Sequence, residues 1–133
     1  MKKPKKISTK SLISRLDFWY SKYIRLKNSI NGYCICITCG KKELVKDIDC
    51  GHYVSRIYKG TRWYEKNTFP QCKSCNRFHE GMKDVFALKL QEKFGKGILQ
   101  ELQNLKNQIV KFTPQDLQDK ITYYQSEVKK LGG

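Results

Sequence analysis

Acidic residues are in short supply: 12 Asp and Glu stand against 27 Lys and Arg in 133 residues, a formal charge of +15 at pH 7. Self-repulsion of that size destabilises a small compact state, so the imbalance implies a polyanionic partner, with DNA expected. Long apolar runs are missing too. None approaches the roughly 20 residues that span a bilayer, which excludes a membrane helix and a membrane partner. The basic start, Met1-Lys-Lys-Pro-Lys-Lys6, is followed by no apolar signal core, so the expected setting is a reducing cytoplasm. The length leaves no room for a multidomain enzyme. A flexible basic tail over residues 1–10 and one domain over residues 11–133 are expected. No internal repeat or low-complexity segment appears beyond the lysine-rich start.

Cysteine, by contrast, is plentiful, at positions 34, 36, 39, 50, 72 and 75. In a reducing compartment disulfides are not expected, and two Cys-x-x-Cys pairs read first as a metal site. Cys36-Ile-Thr-Cys39-Gly40 and Cys72-Lys-Ser-Cys75 are two knuckles with 32 residues between them. Four thiolates saturate Zn²⁺ and leave no open position, so one zinc per chain should be structural. Redox use of the thiols, or plain burial, is the competing reading. Cys34 can exchange roles with Cys36, and Cys50 reads as a small buried hydrophobe.

The hydrophobic pattern predicts an α+β fold. Ser8, Thr9 or Ser11 can cap a helix within residues 11–30, running to about Asn28, with Leu12, Leu16, Trp19, Tyr20, Tyr23 and Ile24 on one stripe. Asn31-Gly32 is placed to end it. Alternation over residues 33–54 predicts short strands, the later ones forming a hairpin that carries His52. Residues 55–70 read as a loop in which Arg56, Lys59, Arg62 and Lys66 interleave with Tyr58, Trp63 and Tyr64. A helix is expected from about Asn76 to Phe94, then another from Ile98 to about Lys111. Thr113-Pro114-Gln115-Asp116 opens a last helix to Leu131, with Thr as cap, Pro at the first turn and an acid to close the capping box.

Between and after the knuckles lie Asp49-Cys-Gly-His52-Tyr53, then Asn67, then Asn76 directly behind Cys75, with His79 and Glu80 following. Singly each is weak, since a lone His is usually structural and an Asn after Cys is often a helix cap. In this order around two knuckles they resemble the HNH (ββα-metal) nucleases. The four-cysteine pair with Asn behind it is similar to phage endonuclease VII, a Holliday-junction resolvase. Asp49-Cys-Gly-His-Tyr-Val-Ser-Arg56, Arg62-Trp-Tyr-Glu-Lys-Asn67 and Gln71-Cys-Lys-Ser-Cys-Asn76, with Gly81 beyond, resemble the phage NinG/Rap recombination nucleases. The resemblance covers about residues 33–100, and the C-terminal helices more loosely.

It implies a zinc-stapled ββα-metal core over residues 33–94, flanked by an N-terminal helix and C-terminal helices over residues 98–131. It further implies hydrolysis of branched DNA (Holliday junctions, D-loops or Y-forks) in recombination within a phage-infected host. His52 would be the general base, and Asn67 would hold the hairpin and orient that imidazole. Asn76 would be a ligand to a catalytic Mg²⁺ or Mn²⁺, with Glu80 one helical turn on as a second. Many HNH enzymes carry a metal-binding Asp or His just before the base, where this chain has Gly51. Asp49 is then the expected substitute, Asp47 the fallback, and His79 a rival to Glu80. The cations Arg56, Lys59, Arg62 and Lys66 are expected on DNA phosphates, while Trp63 either stacks on a base or packs in the core. Symmetric cutting of a four-way junction suggests a homodimer, with the C-terminal helices as candidate interface. The competing functions are a non-catalytic zinc-finger DNA-binding protein and an HNH nicking or restriction enzyme.

Overall fold

The computed structural model describes residues 6–133 and is a mixed α+β fold. Helix α1 (Thr9–Lys27) starts where the Ser8 hydroxyl accepts from the Ser11 amide, so Thr9 and Lys10 are already helical. Of the segment expected as a tail, residues 1–5 lie outside the described residues. The helix stops at Asn28, earlier than Asn31-Gly32. Those two residues take φ of 53° and 83° and instead form a two-residue reversal that brings Ile30 opposite Tyr33. Such left-handed pairs suit a tight hairpin, and Asn-Gly supplies them at low cost.

Two small antiparallel sheets follow. β1 (Tyr33–Ile35) pairs with β2 (Lys42–Leu44), Tyr33 opposite Leu44, with the first knuckle forming the loop between them. β3 (Asp49–His52) pairs not with a preceding strand but with β4 (Thr68–Gln71), Asp49 opposite Gln71 and His52 opposite Thr68. The hairpin that carries His52 therefore closes on the segment expected as loop. Its long connection holds α2 (Lys59–Arg62) and a 3₁₀ turn, Glu65–Asn67. Pro70 masked β4 in the sequence; it is tolerated because a two-stranded sheet leaves one side of each strand unpaired. Gly51 sits against this pairing: a Cβ there would lie 2.3 Å from Gln71 Oε1 and 2.7 Å from Gln71 Cβ. No side chain, carboxylate or imidazole, fits ahead of His52.

The expected helix from Asn76 to Phe94 is broken. A single wide turn, Ser74–Phe78, ends in three consecutive left-handed residues, Glu80, Gly81 and Met82, before α3 (Lys83–Phe94) begins. Polar contacts explain the break. Gly81 donates to Cys75 O at 2.8 Å, and buried Gln71 donates from Nε2 to Gly81 O at 2.7 Å, which folds the chain back over the second knuckle. α4 (Ile98–Lys106) stops short of Lys111, and α5 (Pro114–Lys130) carries the expected Thr113/Asp116 capping box.

Two apolar clusters hold these elements. In one, Leu16, Tyr20 and Ile24 of α1 pack on Leu117, Ile121, Tyr124 and Val128 of α5, with Trp63 alongside. That stripe of α5 is buried within the chain, so it is not a free interface for a second copy. Trp63 is a core residue, edge-on to Phe112, which settles the choice left open above. The other cluster joins Phe86 and Leu90 of α3 to Ile98 and Leu102 of α4. The contact at Gly51 yields a direct prediction. Gly51→Ala should lower the thermal midpoint, and Gln71→Ser should lower it too by removing the amide that donates to Gly81 O and, at 3.2 Å, to Thr38 Oγ1. The double variant should lose less than the two singles summed, because Ser lacks the amide oxygen that the new Cβ would meet at 2.3 Å, although its own Cβ stays close. Additive losses would show that the two positions do not meet.

Candidate functional site

The two knuckles converge. Sγ atoms of Cys36, Cys39, Cys72 and Cys75 all lie within 4.8 Å of one another, the one such group among the described residues. The Cys39–Cys72 separation is 3.7 Å, close to the roughly 3.8 Å edge of a tetrahedron with Zn–S bonds of about 2.3 Å. Amides of Cys39 and Cys75 point at Cys36 and Cys72 sulfurs at 3.5 Å, as knuckle turns require. Burial pushes the Cys36 thiol up, but the Thr38 hydroxyl and neighbouring backbone amides outweigh it and bring the group down to about 6. Burial pushes the Cys39 and Cys75 thiols the other way, so Cys36 is the sulfur of the cluster poised as thiolate, the metal-binding form. These residues fit zinc. Cys34 does not join them: it is buried and donates to Arg25 O on α1 at 3.1 Å.

Beside this staple a cavity of about 770 Å³ opens between α1, β3 and the wide turn after the second knuckle. His52, Asp49 and Asn76 all line it, and so do six cations: Arg25, Lys46, Arg56, Lys73, Arg77 and Lys83. His52 Nε2 lies 2.9 Å from Arg62 O. A carbonyl only accepts, so Nε2 carries the proton and Nδ1 presents the lone pair. Burial is the main reason that this imidazole is pushed down to about 4, which leaves it neutral at pH 7. Asp49 Oδ2 accepts from Asn76 Nδ2 at 3.0 Å and from Arg77 Nε at 2.8 Å, while Oδ1 accepts from Arg77 Nη2 at 3.1 Å. With its nitrogen on Asp49, Asn76 has its oxygen left as a donor atom. A carboxylate and a carboxamide oxygen suit Mg²⁺ or Mn²⁺, which take few protein ligands and complete their shell with water or phosphate. Arg77 is then a competitor for Asp49.

The model of one protein family, described as bacteriophage lambda NinG protein, matches residues 1–132. The chain belongs to the NinG family. No curated protein and no solved structure gave a match.

Not every residue singled out in this NinG-family sequence reaches the cavity. Glu80 and His79 border a separate recess with Met82, because the left-handed break carries Glu80 off the face of Asn76. Exposed Asp47 does not line the cavity, although its carbonyl holds Lys73 Nζ at 2.6 Å. Asn67, fully buried, spends its side-chain hydrogen bonds on backbone and makes none to the imidazole. Its Oδ1 accepts from the Val54 amide at 2.8 Å and its Nδ2 donates to the carbonyls of Val54 and Thr61, both at 3.1 Å. Asn67 thus ties the long connection shut one residue before the carbonyl that holds His52.

The four cations expected on DNA also separate. Arg56 lines the cavity, and Lys59 is exposed on α2. Arg62 is turned inward onto Asp17, and Lys66 lies 3.8 Å from Glu101 on another face. Arg25, Lys46, Lys73, Arg77 and Lys83 were not singled out by the sequence. Lys73 and Arg77 sit within and just behind the second knuckle, which is the signal that could have found them. Lys83 donates to Tyr53 O at 2.7 Å and to His52 O, and burial lowers its ammonium.

The site generates two predictions. Cys72→Ser should lose metal and unfold, since a structural zinc contributes on the order of 10 kcal/mol, whereas Cys34→Ser should keep one zinc per chain. Metal analysis of the two purified variants decides this, and equal zinc in both would contradict the assignment. The second concerns pH. Because His52 is lowered from 6.5 to about 4, the unfolded chain binds a proton over that window which the folded chain refuses. Stability should therefore fall as pH drops from 6.5 toward 4. His52→Gln keeps a donor for Arg62 O but has no such proton, so its loss between pH 7 and pH 5 in denaturant unfolding should be smaller than wild type's.

Proposed function

We propose that the chain is a metal-dependent endonuclease that hydrolyses phosphodiesters in branched recombination intermediates such as Holliday junctions, D-loops and Y-forks. In this reading β3, β4 and the wide turn Ser74–Phe78 are a ββα-metal unit stapled by zinc. The observation that carries it is the cation-lined cavity in which a neutral, singly oriented imidazole stands with Asp49 and Asn76. Membership in a phage protein family supports the recombination setting.

The residues divide the work as follows. Asp49 and Asn76 would hold Mg²⁺ or Mn²⁺, which when bound neutralises charge at the scissile phosphate and the leaving oxygen. His52 Nδ1 accepts the proton of the attacking water, a task suited to an imidazole that stays neutral well below pH 7. Arg62 O keeps Nε2 as donor, which leaves the lone pair on Nδ1 of a residue that lines the cavity. Arg56, Lys73 and Lys83 hold phosphates on either side of the cut. A second reading, a non-catalytic zinc-stapled DNA-binding accessory, is favoured by one contact, the Arg77 fork closed on Asp49. Self-association remains part of the proposal for junction cutting, through a surface other than the buried stripe of α5.

His52→Ala tests the reading. It should cut junction DNA at least about a hundredfold more slowly than wild type, while zinc content and junction binding stay near normal. Cleavage at the wild-type rate would remove His52 from the chemistry. For binding, Arg56→Ala should flatten the dependence of log affinity on log salt by about one unit, and Lys66→Ala, paired to Glu101, should change it less. Equal effects would mean that DNA does not follow the cavity.

A further inference from the structure

Asp17 lies on α1, outside both sheets and 35 residues before His52. Its side chain is 21 % exposed at the cavity wall. Both oxygens grip one short stretch of the long connection. Oδ1 accepts from Arg62 Nε at 3.0 Å and from Trp63 Nε1 at 2.9 Å, and Oδ2 accepts from Arg62 Nη2 at 2.5 Å. Arg62 and Trp63 flank a single peptide bond, and the carbonyl of that bond, Arg62 O, is the acceptor for His52 Nε2. Peptide groups are planar and rigid. A carboxylate that holds the side chains on both sides of one peptide therefore fixes where its carbonyl points. Arg62 Nη1 also donates to Arg56 O at 2.9 Å, which ties the start of the connection to the same fork.

We propose that Asp17 is the positioning residue of the His52 imidazole, acting through the Arg62–Trp63 peptide to keep the proton on Nε2 and the lone pair on Nδ1. This rests on the reading of His52 as general base. The sequence gives no hint of it, because α1 reads only as an apolar stripe and the partners are far apart along the chain. It also gives Arg62 a role that its place in a basic loop concealed: the cation is neutralised inside the fold and its carbonyl is the working group.

The chain has two histidines, so two-bond ¹H–¹⁵N correlation spectra of the zinc-loaded protein at pH 7 resolve the tautomers, with His52→Ala assigning the signals. Wild type should show His52 as the single Nε2–H tautomer. Asp17→Asn cannot accept the Arg62 fork on both atoms, so it should show a mixture of tautomers. Its kcat on junction DNA should fall about tenfold or more with KM within about twofold, the pattern of lost orientation rather than lost binding. If Asp17→Asn fails to hold zinc, Arg62→Lys keeps the carbonyl and the charge but not the fork, and should give the same mixture. A folded variant with an unchanged tautomer, or a mixed tautomer with unchanged kcat, overturns the proposal. A wild type that cuts nothing sinks the nuclease reading instead, and the spectra still decide whether Asp17 sets the ring.

Discussion

The convergence of four sulfurs is the constraint on which the rest of this chain depends. The first knuckle closes the β1–β2 hairpin and the second continues β4, so an ion held by all four sulfurs would join the two sheets. Neither sheet exceeds two strands, and an isolated two-stranded sheet is marginal in water. The helices supply separate apolar clusters, one between α1 and α5 and one between α3 and α4. Between them the cysteine cluster sets where β4 ends and where the wide turn begins. Those two points place Asp49 and Asn76 within hydrogen-bond distance.

Electrostatics then divides the molecule. Most cations stay solvated, but six of them gather around a cavity whose acidic members are Asp17 and Asp49. Each carboxylate is held by arginine, and the two arrangements differ in consequence. The Asp17–Arg62 pair is largely buried, with side chains 21 % and 18 % exposed, and acts as a fixed strut. The Arg77–Asp49 pair is open on the arginine side, at 57 % exposure, where water screens the attraction and exchange with a cation or a phosphate costs little. In the proposed reading the rigid acid would orient the imidazole and the releasable one would face the substrate.

Much of this was legible in the sequence, and the failures have definite causes. The knuckles, the capped last helix and the stripe of α1 follow from spacing and residue type, and the grouping of Asp49, His52 and Asn76 from the resemblance to HNH nucleases. The pairing of β3 with β4 was hidden because Pro70 and the basic residues before it read as loop. Glu80 leaves the face of Asn76 because the helix expected from Asn76 breaks after Phe78, where Gln71 and Cys75 capture the backbone of Gly81. Charge in a sequence carries no direction, so the ion pairs that Arg62 and Lys66 make within the fold could not be read from it. Their acidic partners, Asp17 and Glu101, lie 45 and 35 residues away along the chain. Gly51, an apparent departure from the nuclease pattern, is explained only by the Gln71 side chain lying across it.

The central claim is that the cavity is a metal-dependent phosphodiesterase site for branched DNA. Its most direct test is a single-turnover cleavage assay with zinc-loaded wild-type protein on a four-way junction, a flap and a linear duplex of matched sequence. Each is run with Mg²⁺, with Mn²⁺ and with the divalent ion chelated by EDTA. The account predicts cuts near the branch point in the junction and flap, little cutting of the duplex, and none under EDTA. Cleavage that ignores the branch or survives chelation would contradict it, and so would binding of the junction with no cleavage under either ion.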